Sequence, residues 1–263
     1  MNNNALKDTY VRIHRQGFMP IFVRDELDAV KLAGACRKAG IQAIEITCRR
    51  DGVLDEVAAV KRAYPEMIVL AGSTVDNPEI VAFIKSKKPG MPSLDELAAA
   101  GADGFVAQLP FKRETFEKFA ATHILTPGVT TIKEAYDMLQ MGAHFTKFCY
   151  LTKDDLKKVN GDPVHGIFPL FIVGGVTLDK IEGFVQAGAA MVAAGWDVIL
   201  GADYATARKN PDYCLASERV AQFADAVRAV RATQAARSMF PAEPATTDDY
   251  LKSLPHYHPF WRG

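Results

Sequence analysis

The most informative side chain in this sequence is a lysine inside a short apolar run. Lys147 lies within the run Phe145–Cys149, and a charged amine is costly to bury unless it has a function. An amine among apolar groups loses its proton readily and then becomes a nucleophile. Glu45 holds a similar place in the apolar run Ala43–Arg49. Together the two residues indicate an amine nucleophile and a proton relay.

The elements that must position these groups alternate regularly along the chain. Short apolar runs are separated by amphipathic segments, a pattern typical of parallel strands joined by helices. We count eight such units and predict an α/β fold, the (β/α)8 or TIM barrel. An open doubly wound sheet is the alternative, but its usual GxGxxG turn is absent after the first strand. The predicted strands are Phe18–Arg24, Ala43–Arg49, Ile68–Ser73, Gly104–Gln108, Ile124–Gly128, Phe145–Cys149, Leu170–Gly174 and Met191–Gly195.

Side-chain alternation along the second strand places its polar groups inside the predicted barrel. Glu45, Thr47 and Arg49 share one face, whereas the opposite face is apolar and should meet the helices. The second and sixth strands are both even-numbered and contribute to the same layers, so Glu45 and Lys147 are predicted to meet across the lumen. Active sites of this fold lie at the carboxyl ends of the strands, where Arg49 would grip a substrate carboxylate with two hydrogen bonds.

Glycine-containing turns follow the seventh and eighth predicted strands. Gly174 and Gly175 follow the seventh, and Gly195 with Trp196 follows the eighth. Each turn exposes backbone amides near a helix start, and the loops at these positions commonly bind phosphate in this fold. A glycine pair is also common in a tight turn without any ligand, so both interpretations stay open.

Composition limits the class of partner. The 263 residues suit one barrel core, with 49% hydrophobic and 24% charged residues. Lys and Arg number 31, as do Asp and Glu, so neither nucleic acid nor a membrane is expected as partner, and a small molecule is. We recognise no signal peptide or membrane-spanning run, which predicts a cytoplasmic protein. The cysteines and histidines lack metal-ligand spacing, so no metal site is expected.

Two stretches of the sequence are longer than a minimal barrel requires. Residues 77–92 extend the third strand-to-helix connection by a helix-like segment. After residue 237 the chain continues as a proline-rich, aromatic tail. We therefore predict a catalytic barrel domain at residues 1–237 and a C-terminal extension at residues 238–263 that packs on the barrel or on a neighbouring subunit.

Five motifs occur in a recognisable order along the chain. They are Ile44–Arg49, Ala71–Val75, Thr126–Thr131, Thr146–Phe148 and Val173–Val176. Each motif is weak alone, but the ordered set resembles the pyruvate-dependent class I aldolases that cleave 2-keto-3-deoxy-6-phosphogluconate (KDPG) and 4-hydroxy-2-oxoglutarate (KHG). The resemblance extends from about residue 18 to residue 200.

The resemblance implies a role for each matching residue. Lys147 would form an imine with the substrate, without a metal or other cofactor, and Glu45 would act as general acid and base through a water. Arg49, with Thr74 or Ser73, would hold the pyruvoyl carboxylate. The other substrate contacts that it implies are Pro127, Gly128 and Phe148, and the phosphate contacts are Gly174, Gly175, Gly195 and Trp196. It further implies a 2-oxo acid and an aldehyde as small-molecule partners, and a homotrimer.

The sequence departs from the family at the distal end of the pocket. Val173 stands where the family commonly has threonine, and Ala193–Gly195 stands where it has Gly-Gly-Ser, so two hydroxyl donors are missing. The predicted function is reversible cleavage of a 4-hydroxy-2-oxo acid, phosphorylated or not, to pyruvate and an aldehyde. The alternatives are a Schiff-base dehydratase or decarboxylase, and a barrel that binds a phosphorylated metabolite without turnover.

Overall fold

Parallel strands and helices alternate through the chain, of which the computed structural model describes residues 3–24, 26–233 and 246–261. The strands are β1 Phe18–Phe22, β2 Ala43–Thr47, β3 Ile68–Thr74, β4 Gly104–Ala107, β5 Ile124–Thr126, β6 Gly128–Val129, β7 Thr146–Cys149, β8 Leu170–Val173 and β9 Met191–Gly195. The helices are α1 Asn3–Gln16, α2 Ala29–Lys38, α3 Val53–Ala63, α4 Pro78–Lys87, α5 Leu94–Ala99, α6 Arg113–Phe119, α7 Ile132–Met141, α8 Lys153–Asn160, α9 Ile181–Gln186, α10 Trp196–Leu200, α11 Tyr204–Ala207, α12 Tyr213–Arg231 and α13 Thr247–Lys252.

The strands form one nearly closed barrel. All of them pair in parallel in the order β5-β4-β3-β2-β1-β9-β8-β7-β6. The two end strands are consecutive in the chain and are separated only by Pro127, which has no N–H to donate to a neighbouring strand. The N–H of Lys147 on β7 donates to the carbonyl oxygen of Pro127 over 2.9 Å. The predicted (β/α)8 barrel is therefore confirmed, with its fifth strand interrupted at Pro127.

The third strand-to-helix connection contains two helices, as the sequence predicted. Helix α4 begins directly after Asn77, whose side chain accepts hydrogen bonds from the backbone N–H groups of Glu79 and Ile80. Helix α5 begins after Ser93, which forms a reciprocal capping box with Glu96. The extra length thus forms a separate helix and does not interrupt the barrel.

The amino-terminal helix α1 closes the amino end of the barrel, a role that the sequence analysis did not predict. Gln16, at its last turn, donates hydrogen bonds to the carbonyl oxygens of Phe18 and Ala43, which begin the first two strands. The apolar face of α1 joins the cluster inside the barrel. This cluster includes Leu6, Tyr10, Val11 and Ile13 from α1, with Met19, Ile21, Ala43, Leu70, Val106, Ile124, Phe145, Phe171, Met191 and Ala193.

Residues 246–261 pack on the outer side of α1, so this end of the barrel is doubly covered. The hydroxyl of Tyr250 lies 2.7 Å from His14 Nδ1, and His256 Nε2 lies 3.0 Å from His14 Nε2. Arg231 donates to the backbone carbonyl of His14 over 2.7 Å. Residues 234–245 and 262–263, with the predicted domain boundary at 237, lie outside the described residues. The division into a barrel and an extension stays a prediction.

Acid is expected to destabilise the protein because several histidines are buried at this end of the barrel. Burial lowers the pKa of His256 to about 4 and that of His144 to about 3. Burial also lowers the pKa of His14, and the nearby His256 and Arg231 add to the effect. A histidine in the unfolded chain has a pKa of about 6.5, so the unfolded state takes up these protons first. The free energy of unfolding should fall as the pH drops below about 6.5, by up to about 1.4 kcal/mol per pH unit for one histidine.

Urea unfolding at about pH 7.5 and about pH 5 measures this loss. His256→Gln should lose less stability between the two pH values than the wild-type protein, because one titrating group is gone. The exposed His165→Asn serves as the control and should follow the wild type. An equal loss in all three proteins would contradict the role given to His256.

Candidate active site

Glu45 lies on the inner face of β2 and is 1% exposed. Strand alternation sends the neighbouring Ile44 and Ile46 outward, into the cluster between the sheet and the helices. Space for the carboxyl group exists only because residue 72 on β3 is glycine. A Cβ at Gly72 would lie 1.9 Å from Glu45 Oε1 and 2.6 Å from its Cδ. The glycine therefore makes a niche for the carboxyl group.

Lys147 lies on the inner face of β7, where it is 5% exposed. It is in register with Gly128 on β6 and with Phe171 on β8. Gly128 and Pro127 are thus beside the lysine backbone. Phe148 points the other way, into the cluster between the sheet and the helices, so the structure does not bring its side chain to the lumen.

The charge of Lys147 on β7 acts on the carboxyl group of Glu45 on β2. Burial raises the pKa of the Glu45 carboxyl above its ordinary value, while the positive charges of Lys147 and then Arg49 act to lower it. Oxygen Oε2 of Glu45 has no hydrogen-bond partner among the described residues. The same holds for the buried hydroxyl of Thr126 on β5, a residue that we did not single out from sequence. Unpaired buried polar atoms of this kind are expected where a substrate or water binds.

The two adjacent arginines after β2 have different surroundings. Arg50 is 1% exposed and donates to Glu56 at 2.6 Å and to the carbonyl oxygen of Leu27 at 2.8 Å. Arg49 is exposed and lines a cavity at the carboxyl ends of the strands. Of the two, Arg49 is therefore the one placed to meet a ligand from this cavity.

Residues Gly72, Ser73 and Thr74 contain a β-bulge. The pairing of β3 with β4 shifts register between Ala71 and Thr74, and Ser73 has a left-handed φ of 55°. The Thr74 hydroxyl is buried and donates to the carbonyl oxygen of Val106 over 3.1 Å. The bulge thus separates the two hydroxyls that the sequence left as alternatives, and Ser73 is the more accessible of them.

The cavity has a volume of about 500 Å³ and lies at the carboxyl ends of the strands, and Glu45 and Lys147 are not among its wall residues. Its walls include the predicted phosphate contacts Gly174, Gly175, Gly195 and Trp196, together with Arg49. Gly174 and Gly175 have φ of 89° and 70°, which explains why both are glycine. Trp196 itself is buried, with its ring 6.0 Å from that of Phe22. The cavity therefore connects the arginine above Glu45 with the glycine loops of β8 and β9.

Two further properties of the described residues bear on ligands. Within residues 3–24, 26–233 and 246–261, no three His, Cys, Asp or Glu side chains are grouped so that they could hold a metal ion. In the same ranges, no helix has the length and apolar character needed to cross a membrane.

The fold and these residues define an α/β barrel with a buried amine and carboxyl group on its inner face and a cavity at the carboxyl ends of its strands. Comparison with known proteins assigns it more closely. The chain belongs to the KDPG and KHG aldolase family, whose family model matches residues 11–213.

Individual relatives agree with this assignment. The chain is 28% identical over 156 residues to a 2-dehydro-3-deoxy-phosphogluconate aldolase of Pseudoalteromonas atlantica, a match covering 57% of this chain and 62% of that protein. It is 31% identical over 133 residues to the KHG/KDPG aldolase of Escherichia coli K12, covering 49% of this chain and 55% of the relative. The chain thus matches between half and two thirds of the length of these relatives.

One solved structure is similar over most of the chain. It is the KDPG aldolase of Legionella pneumophila, with pyruvate captured at low pH as a covalent carbinolamine intermediate. The TM-score is 0.59 at 21% identity, and the likeness covers 80% of this chain and 95% of that one. At this identity the likeness supports the barrel fold alone.

Proposed function

We propose that the protein is a class I aldolase that reversibly cleaves a 4-hydroxy-2-oxo acid to pyruvate and an aldehyde. The observation that carries the proposal is the buried pair of Glu45 and Lys147, which are close enough for the lysine charge to act on the glutamate. Family membership supports it. The Legionella aldolase, which shares the fold, holds pyruvate as a carbinolamine, the adduct that forms when an amine adds to a carbonyl group.

In this mechanism Lys147 is the nucleophile. Its neutral amine attacks the C2 carbonyl, and loss of water gives a protonated imine. The imine draws electrons from the C3–C4 bond as that bond breaks, and the aldehyde leaves. The enamine that remains is protonated at C3, and hydrolysis of the imine then releases pyruvate and restores the lysine.

Glu45 would move the protons in these steps. As a carboxylate it accepts the proton of the C4 hydroxyl through a water, and as an acid it returns a proton for C3 of the enamine. A carboxyl group whose pKa is raised by burial is suited to both tasks, because the two protonation states lie closer in free energy near neutral pH.

Other residues would hold the substrate. Arg49, with Ser73 or Thr74, would bind the carboxylate of the 2-oxo acid, and Pro127 and Gly128 would border the imine carbon. The distal end of the substrate would lie against Gly174, Gly175, Gly195 and Trp196. A cytoplasmic location and a homotrimer are part of the same proposal, and of the two only the homotrimer is implied by the family resemblance.

Borohydride reduction in the presence of pyruvate tests the proposal. Purified protein is reduced with and without pyruvate, and intact mass and peptide mapping then locate any adduct. One reduced pyruvate adduct on Lys147 is expected. An adduct on another lysine, or none in a folded sample, would exclude the imine mechanism.

A further inference from the structure

One charged group at the distal end of the cavity has no place in the mechanism above. Asp197 lies in the first turn of α10, two residues after Gly195. Its Oδ1 is 2.5 Å from the position that a Cβ on Gly195 would occupy, and Val23 Cγ2 is 3.2 Å from the same position. The carboxylate therefore folds back towards the strand that precedes it.

A Cβ on Gly195 would point into the barrel, so the Asp197 carboxylate close to that position lies over the barrel mouth. Ala193, two residues before Gly195 on β9, belongs to the apolar cluster inside the barrel. Gly195 shares its face by strand alternation, so a Cβ there would point to the lumen side. Asp197 also lines the cavity, together with Arg49. A negative charge thus lies at the end of the cavity where a phosphate would be expected.

A second carboxylate strengthens this negative character. Glu26 lines the same cavity and is neutralised in part by Arg208, whose Nη2 lies 3.3 Å from Glu26 Oε1. The hydroxyl of Tyr204 donates to Glu26 over 3.4 Å. Burial raises the pKa of Tyr204, and the negative charges of Glu26 and Asp197 raise it further. The phenol is therefore flanked by both acids.

Few side chains of the β8 and β9 loops could donate a hydrogen bond to a phosphate at this end. Val173, Ala193 and Ala194 contribute no hydrogen-bond donor from their side chains. Tyr150 is 81% exposed, and its ring atoms lie 2.6 Å from the position of a Cβ on Gly174, so the ring covers that glycine. Arg24 and Arg208 are the cations at this end of the cavity; Arg208 is paired with Glu26, and the charge of Asp197 weakens the attraction of Arg24 for an anion.

We propose that the aldehyde end of the substrate is uncharged and hydroxylated, and that Asp197 selects it over a phosphorylated end. This inference rests on the aldolase function proposed above. A carboxylate only accepts hydrogen bonds, so it can bind the hydroxyl groups of a substrate but has nothing to donate to a phosphate. A phosphate carries a charge of about −1.5 to −2 near pH 7, and a like charge nearby repels it.

The test compares two acceptors in the direction of condensation with pyruvate. Glyceraldehyde and glyceraldehyde 3-phosphate differ only in the group that would face Asp197. The wild-type protein is expected to have the higher kcat/KM for glyceraldehyde. Asp197→Asn should raise kcat/KM for the phosphorylated acceptor about tenfold, equivalent to about 1.4 kcal/mol, and should not raise it for glyceraldehyde. Asp225→Asn removes an exposed charge on α12 and is the matched control, expected to leave both values unchanged.

A salt series on the wild-type protein keeps the inference testable if Asp197→Asn does not fold. Salt screens the repulsion, so the ratio of kcat/KM for the phosphorylated acceptor to that for glyceraldehyde should rise with ionic strength. A wild-type preference for the phosphorylated acceptor, or a ratio that neither the substitution nor salt changes, would overturn the inference.

The borohydride experiment distinguishes a failure of the inference about Asp197 from a failure of the aldolase proposal. Pyruvate does not reach the distal end, so its adduct does not depend on Asp197. A pyruvate adduct on Lys147 together with a preference for the phosphorylated acceptor would overturn the selection by Asp197 alone. Absence of both the adduct and turnover would overturn the aldolase proposal and this inference with it.

Discussion

Lys147→Arg is expected to lower kcat for aldol cleavage at least about 10⁴-fold, because the nucleophile is lost. Arginine keeps the positive charge and much of the length of lysine, but it stays protonated in proteins and cannot form the imine. The charge that acts on Glu45 therefore remains while the covalent step is removed. Pyruvate release from a 4-hydroxy-2-oxo acid measures the loss, and circular dichroism verifies that the barrel folds.

Lys157→Arg is the matched control, because Lys157 is exposed on α8. It should keep the wild-type kcat. If Lys147→Arg retained kcat within about tenfold of the wild type while folded, the amine of Lys147 would not be the nucleophile.

Glu45→Gln is expected to lower kcat by about 10² to 10⁴-fold, the usual contribution of a general acid or base. Glutamine has nearly the same shape but cannot exchange a proton at this site. In the wild type the acidic limb of the pH profile of kcat/KM should lie above the ordinary carboxyl pKa of 4.5, because burial raises the pKa of Glu45. This limb should disappear in Glu45→Gln.

A measurement of Tm distinguishes loss of catalysis in Glu45→Gln from loss of the fold. The folded protein binds a proton at Glu45 more tightly than the unfolded chain does, so ionisation of Glu45 weakens the fold as the pH rises. Glu45→Gln removes that cost and should not lower Tm at neutral pH. Lost activity with a markedly lower Tm would indicate a structural role for Glu45.

Gly72→Ala, on the neighbouring strand β3, is expected to displace the Glu45 carboxyl group. The new methyl group would overlap Glu45 Oε1, so the carboxyl group must leave its niche and kcat should fall in a similar way. Gly52→Ala is the control, since a Cβ there meets no atom within 4 Å. Wild-type activity in Gly72→Ala would show that the position of the carboxyl group in the niche is not needed.

The barrel was predictable because its signals are local. Apolar runs of strand length and the segments between them set the order of the elements, and alternation alone placed Glu45 and Arg49 on the inner face. The same alternation sends Phe148 outward, although its place beside Lys147 in a family motif had suggested a substrate contact. Proximity in sequence to a site residue was thus a weaker guide than strand parity.

The parts that could not be predicted depend on contacts between distant segments. Nothing within α1 indicates that it closes the amino end of the barrel, because the strands that it covers come from the whole chain. The niche at Gly72 depends on pairing between β2 and β3. Asp197 was overlooked for a similar reason, since its position over the barrel mouth follows from the turn at Gly195 and not from its own neighbours in sequence.

The contact between His14 and His256 joins residues that are 242 positions apart. A ribosome makes His14 before any strand of the barrel and His256 after all of them. Every strand of the barrel, and both residues of the proposed catalytic pair, emerge before the outer cover of α1 exists. The histidine in α1 consequently stays accessible to water until residues 246–261 arrive, so a nascent chain can assemble its catalytic end before its base is sealed.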